Sequence, residues 1–78
     1  MQIQVVNVES AKVPGKSWKQ IDVSYKNDKG ELKGKKVMSF SVKKGLDILT
    51  NSKEGDNLDV EVVKTDEGYW NWVAVQPA

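Results

Sequence analysis

The chain has no cysteine and no histidine among its 78 residues. Without cysteine it can form neither a disulfide framework nor a thiolate metal site. Without histidine it lacks the commonest general base and the commonest metal ligand. A nucleophile and base would have to come from serine and lysine or from two carboxylates, and the nearest such pair, Asp59 and Glu61, is typical of a solvated strand face. We therefore expect no enzyme, no metal site and no cofactor.

Arginine is absent as well, because all twelve cations are lysines. The planar guanidinium of arginine suits guanine edges and phosphates. Without it, a polyanionic partner would be bound by lysine point charges along its backbone and not by recognition of base edges. There is also no apolar run of membrane-spanning length, and Met1-Gln2-Ile3-Gln4 lacks the regions of a signal peptide. We expect a soluble, cytoplasmic protein with no membrane partner.

The net charge of +1 conceals an uneven charge distribution. Residues 1–44 carry ten lysines and four acidic residues, a balance of +6. Residues 45–78 carry two lysines and seven acidic residues, a balance of −5. The first half can therefore supply a lysine-rich patch, which would attract a polyanion.

Alternation of apolar and polar residues predicts one all-β domain over residues 1–78. Glycine, proline, asparagine and aspartate mark the turns, and residues 44–51 are predicted to form one or two helical turns. The third strand is expected to bury Met38, Phe40 and Val42, and Tyr25 is also expected in the core. The predicted strands are Ile3–Val8 with an extension toward Val13, Trp18–Lys26, Val37–Val42, Leu58–Val62 and Tyr69–Val75.

Three meandering strands, a helical crossover and a final hairpin follow the order of an OB-fold, a five-stranded barrel. An SH3-like barrel has a similar strand count and stays open as the alternative. The helical segment between strands three and four favours the OB-fold. A domain this short buries only about 60% of the surface that its unfolded chain exposes, so each large apolar side chain matters for stability.

Half of the six aromatic side chains lie in the segment Tyr69-Trp70-Asn71-Trp72. Exposed rings beside lysines are typical of domains that bind single-stranded nucleic acid, because every base has a π-face. Strand alternation places Trp18 away from Ile21 and Val23, so we expect its ring to be exposed. Alternation does not decide whether Trp70 and Trp72 or Val73 and Val75 face the core. A β-bulge would allow residues of both sets to be buried.

The predicted nucleic-acid site combines stacking rings with lysines that contact phosphates. The stacking residues are Trp18, Tyr69, Trp70 and Trp72. The phosphate contacts are Lys12 and Lys16 in the first loop, with Lys33, Lys35 and Lys36 on the connection between strands two and three. A run of lysines can equally be a solvated strand edge that prevents aggregation.

Three stretches carry a resemblance to a known family. Glu54-Gly55-Asp56 followed by Leu58–Val62, then Gly68–Trp72, resembles the C-terminal half of small OB-fold single-stranded-DNA-binding proteins of bacteriophages. The strand Trp18–Tyr25 is similar to their second strand. The resemblance implies binding of single-stranded DNA, or RNA, without sequence preference or cofactor, in support of phage-type DNA replication or recombination.

A protein-interaction module is the competing functional hypothesis. An SH3-like or OB-like β-barrel could use the same aromatic patch to bind a peptide or another subunit, since exposed aromatics and strand edges suit both purposes. Self-assembly into a homo-oligomer belongs to this alternative.

Overall fold

A computed structural model describes residues 1–78 as an all-β chain with one five-stranded antiparallel sheet in the order β3-β2-β1-β4-β5. The five-residue α1 is the only α-helix, and no helix has the length and apolar character to cross a membrane. The elements are β1 (Gln2–Lys12), β2 (Lys19–Lys26), β3 (Leu32–Met38), a 3₁₀ turn (Ser39–Ser41), α1 (Leu46–Thr50), β4 (Asn57–Lys64) and β5 (Trp70–Pro77).

The central strand, β1, passes from one neighbour to the other. Gln2–Gln4 pair with β4, and the remainder of the strand pairs with β2. The register with β2 shifts between Val5 and Asn7, so Val6 is an extra residue. Such a bulge bends a strand and reverses the parity of the residues beyond it. As a result, β1 keeps an apolar face toward the core on both sides of the bend.

A second bulge, in β5, places Trp72 and Val75 on the same side of the sheet. The register with β4 skips Val73. In a regular strand, Trp72 and Val75 would face opposite sides of the sheet. With Val73 inserted both are buried, at 2% and 3% exposure, while Trp70 is 56% exposed. Trp70 and Trp72 both precede the bulge and share a face; Trp72 covers the core, whereas Trp70, the first residue of β5, is exposed.

The core is entirely apolar and draws on every strand, on α1 and on the segment after the 3₁₀ turn. Trp72 packs edge-on against the half-buried Tyr25, with ring centroids 5.3 Å apart. Burial raises the pKa of the Tyr25 hydroxyl above its usual value. The eleven buried residues are Ile3, Val5, Ile21, Val23, Val37, Val42, Leu49, Leu58, Val60, Trp72 and Val75.

The predicted position of the third strand, Val37–Val42, is wrong. The turn before this strand is short, because the Gly30 N–H donates to the Asn27 carbonyl. Pairing with β2 therefore starts at Leu32, five residues before the predicted start. This strand is polar because it lies at a sheet edge, where lysines are favoured, so a search for apolar alternation misses it. It ends at Met38, directly before the 3₁₀ turn.

Moving the strand also changes which side chains are buried. Phe40 was expected in the core but lies in the 3₁₀ turn and is 56% exposed, and Met38 is 44% exposed. Of the three residues expected on one buried face, only Val42 is buried. The other four strands and the helical segment lie within a few residues of their predicted positions.

The two edge strands of the sheet are joined at one end only. The Lys43 N–H donates to the Val73 carbonyl at 2.8 Å, and the Val75 N–H donates to the Lys44 carbonyl at 2.9 Å. Lys44 and Ala74 form a parallel bridge. No backbone hydrogen bond joins β3 itself to β5. We call the gap between β3 and the first half of β5 the seam; its closed end lies at these bonds.

Gly45 makes the closest backbone approach at this closed end. It precedes α1 with a φ of 82°, in the left-handed region. A Cβ added to it would lie 1.8 Å from the Val75 carbonyl oxygen. Only glycine therefore allows the chain to lie against β5 and turn into α1.

Gly45→Ala should lower the free energy of unfolding by more than about 4 kcal/mol, a range reserved for severe steric or backbone defects. Gly30→Ala is the matched control, since Gly30 has a φ of 77° and open space around an added Cβ. It should cost only about 1–2 kcal/mol, the strain of the left-handed conformation. Urea denaturation measures both losses. Equal losses would show that the approach to Val75 is not a constraint.

Candidate nucleic-acid interface

The seam contains a small hollow of about 110 Å³ between the two edge strands. Two lysines line it and no carboxylate does. A hollow with this lining suits an anionic ligand that also has flat apolar surfaces. The lining residues are Lys35, Lys36, Val37, Met38, Phe40, Ser41, Asn71 and Trp72.

A larger groove of about 680 Å³ has the opposite chemistry. It lies between α1, β4 and the end of β5, and its carboxylates are Asp47, Asp59 and Glu61. Its lysine is Lys44. Despite its greater volume, this groove would repel a polyanion. Carboxylates therefore outnumber lysines in the lining of the groove, and lysines outnumber carboxylates in the lining of the hollow.

Trp70 lies at the open end of the seam, between lysines of both hairpins. The Lys64 Nζ is 5.5 Å from the centroid of the Trp70 ring, a cation–π distance. From the other side of the seam, the Lys35 Nζ donates a hydrogen bond to the Trp70 carbonyl at 2.5 Å. An ammonium has three donors, so Lys35 keeps two for a ligand. The exposed ring of Trp70 therefore lies beside one lysine, and its backbone carbonyl is bonded by another.

Tyr69 occupies the tip of the β4–β5 hairpin and is 71% exposed. Thr65 organises the tip, because its Oγ1 accepts from the Tyr69 N–H at 3.1 Å and its carbonyl accepts from the Gly68 N–H at 2.9 Å. Asp66 and Glu67 belong to the same turn. These two carboxylates make the tip less favourable for a polyanion than the surroundings of Trp70.

Trp18 lies toward the closed end of the seam, directly before β2. The Lys19 N–H donates to the Ser39 Oγ at 2.9 Å, which holds the start of β2 against the 3₁₀ turn. The Trp18 ring meets the Phe40 ring edge-on, with centroids 5.4 Å apart and planes at 82°. Trp18 was expected to be exposed, and it is half-buried.

Trp72 was expected to be a stacking residue, and its burial corrects this expectation. Only 2% of its surface is exposed, so no base can reach its face in this structure. Its ring instead fills the core beside Tyr25. The aromatic segment near the C-terminus therefore contributes one core side chain and two exposed rings.

The predicted lysines divide into two groups. Lys33, Lys35 and Lys36 lie within β3 and not on the connection before it. Lys12 pairs with Lys19 at the far end of the β1–β2 ladder, and Lys16 belongs to the turn between these strands. Only the β3 group borders the seam, whereas the loop pair lies on the side of Trp18.

Two further lysines were missed. Lys64 pairs with Trp70 across the β4–β5 hairpin, a neighbour that the hairpin's turn at residues 65–69 could have predicted. The Lys43 Nζ donates to the Phe40 carbonyl at 3.3 Å, but nothing in the sequence indicates this contact, because the 3₁₀ turn was taken for a strand.

No family model matches the chain, and neither the curated proteins nor the solved structures contain a significant match to it. The function of the seam is therefore inferred from its geometry and chemistry.

The two C-terminal tryptophans should respond differently to truncation. Trp72→Ala should cost about 3–5 kcal/mol of stability, the usual loss for a buried aromatic. Trp70→Ala should change stability by no more than about 0.5 kcal/mol, as expected for a surface site. Urea denaturation followed by circular dichroism measures both. A large loss in Trp70→Ala would place that ring in the packing of the fold and remove it from the candidate site.

Proposed function

We propose that the protein is a small OB-fold domain that binds single-stranded DNA, or RNA, with little sequence preference at the seam. The observation that carries the proposal is an exposed tryptophan, Trp70, whose ring lies beside Lys64 and whose carbonyl accepts from Lys35, next to a hollow lined by two lysines and no carboxylate. In a phage such a protein would cover single strands during DNA replication or recombination in the host cytoplasm.

Three features of the topology support the OB-fold over an SH3-like barrel. The first strand bends and pairs with both β2 and β4. A short helix separates β3 from β4. The chain after β3 runs parallel to β5, as in a five-stranded barrel that is partly open. The seam is then the unclosed part of that barrel.

The chemistry of the seam favours single strands because their bases are free to stack. A base on an aromatic ring contributes about 1–3 kcal/mol and does so for any base. Lysine ammonium groups attract phosphates as point charges and do not read base edges. Tight binding without sequence preference follows from this combination. In duplex DNA the faces of the bases are already stacked on each other, so the ring at Trp70 would have no partner.

The direct test is a titration with oligothymidylate followed by tryptophan fluorescence at two salt concentrations. We expect quenching at low salt and weaker affinity at high salt, since binding releases counterions from the phosphates. Trp70→Ala should weaken binding at least about five-fold, the lower limit of one stacking interaction. Val63→Ala is the matched control. Val63 is also exposed on the same hairpin, but its side chain is on the face of the sheet opposite to that of Trp70. The affinity of this variant should equal that of the wild type.

If saturating oligonucleotide leaves the fluorescence unchanged at low salt, the proposal is wrong. The competing hypothesis is then favoured, a β-module that binds a peptide or a second copy through the exposed apolar side chains. Sedimentation identifies that case, since a dimer that forms with rising concentration would shield the tryptophans. The exposed large apolar side chains are Met1, Leu32, Met38, Phe40, Val63, Tyr69 and Trp70.

A further inference from the structure

Phe40 is an exposed ring that the proposed site does not yet use. It is 56% exposed although it was expected in the core. The turn that carries it is well anchored: the Ser41 Oγ donates to the Met38 carbonyl at 2.8 Å, and the Ser39 Oγ accepts from the Lys19 N–H. An apolar ring held in a fixed position at the surface is a feature of binding sites.

Phe40 belongs to a cluster with Trp18 and Met38, which we call the Phe40 cluster. The Trp18 ring supports Phe40 edge-on at 5.4 Å, and Met38 is 44% exposed. Lys43 reaches the Phe40 carbonyl with its Nζ, and Lys36 lines the same hollow. The cluster therefore repeats part of the combination found at Trp70, an exposed ring with lysines; the carboxylate nearest in the sheet register is that of Asp22, the cross-strand partner of Lys36.

The two aromatic positions lie along one line. The chain from Lys35 onward runs parallel to β5: Lys35 is hydrogen-bonded to Trp70, and Lys44 is bridged to Ala74. Phe40 falls between these two contacts. Lys35 and Met38 are three strand residues apart, about 10 Å, so the Phe40 cluster lies further along the seam than the Lys35–Trp70 hydrogen bond. The hollow is lined by Phe40 and by Asn71, the residue after Trp70.

We propose that the Phe40 cluster is a second base-stacking subsite, so that the seam holds a single strand several nucleotides long with one base at Trp70 and another at Phe40. This inference rests on the proposed function. It adds a length requirement, because a ligand gains from both subsites only if its backbone spans the lysines between them. Linking two weak contacts in one ligand raises affinity beyond that of either contact.

The test is an affinity series with thymidine oligonucleotides from the dinucleotide to the decanucleotide, measured by fluorescence anisotropy. Phe40→Leu removes the π-face and keeps an apolar side chain. It should weaken binding of the longest oligonucleotides about five-fold or more, the effect of one lost stack, and should change binding of the dinucleotide much less. Phe40→Trp, which keeps an aromatic face, should retain the length dependence.

Leu32→Ala is the matched control, because Leu32 is 67% exposed on the same strand but pairs with Lys26 at its other end; its affinity series should match the wild type. If the wild type binds the decanucleotide and Phe40→Leu binds it equally well, the second subsite is refuted and the proposed function stands. If the wild type binds no oligonucleotide, both are refuted. If Phe40→Leu instead abolishes a dimer and leaves the affinity for DNA unchanged, the cluster is a subunit interface and the inference is wrong.

Discussion

The close approach of Gly45 to Val75 determines how the two edges of the sheet come together. Because Gly45 has no side chain, the chain after β3 can lie against β5, bond to it through Lys43 and Lys44, and enter α1 within one residue. Close by, β5 takes in an extra residue at Val73, and this bulge places both Trp72 and Val75 in the core. The same arrangement leaves the earlier part of both edges unpaired. The closure therefore determines which end of the seam is bonded, and the neighbouring bulge places Trp72 and Val75 on the same side of the sheet.

The folded arrangement of charge explains how a nearly neutral chain can present a cationic site. Lysines of the first half line the seam, and carboxylates of the second half line the groove beside α1. The hollow contacts β5 at Asn71 and Trp72, and the groove contacts it further along, at Ala74, Val75 and Gln76. Reliance on lysine instead of arginine favours attraction to a phosphate backbone over recognition of particular bases. The exposed rings at Trp70 and Phe40 complement that attraction, because stacking is equally indifferent to sequence.

Much of the fold could be predicted from the sequence, and the failures have physical causes. The alternation over residues 18–26 predicts β2, since a half-buried strand repeats every second residue. It fails for β3, where an edge position admits a run of lysines and removes the apolar signal. It also fails for Phe40, because a 3₁₀ turn interrupts the apparent alternation after Met38. The lysine and aromatic composition predicts the kinds of side chain that the proposed site uses. The pairing of Lys64 with Trp70 follows once the turn is placed at residues 65–69, whereas the contact of the Lys43 Nζ with the Phe40 carbonyl requires the 3₁₀ turn, which the apparent alternation hides.

The central claim is that the seam, and not the acidic groove, meets the nucleic acid. Amide chemical shifts of ¹⁵N-labelled protein during titration with oligothymidylate test it residue by residue. The account predicts that the largest changes fall on Lys35, Phe40, Trp70 and Asn71, together with the indole N–H of Trp70, while Asp47, Asp59 and Glu61 stay unchanged. Changes confined to the groove beside α1, or spread evenly over all strands, would contradict it.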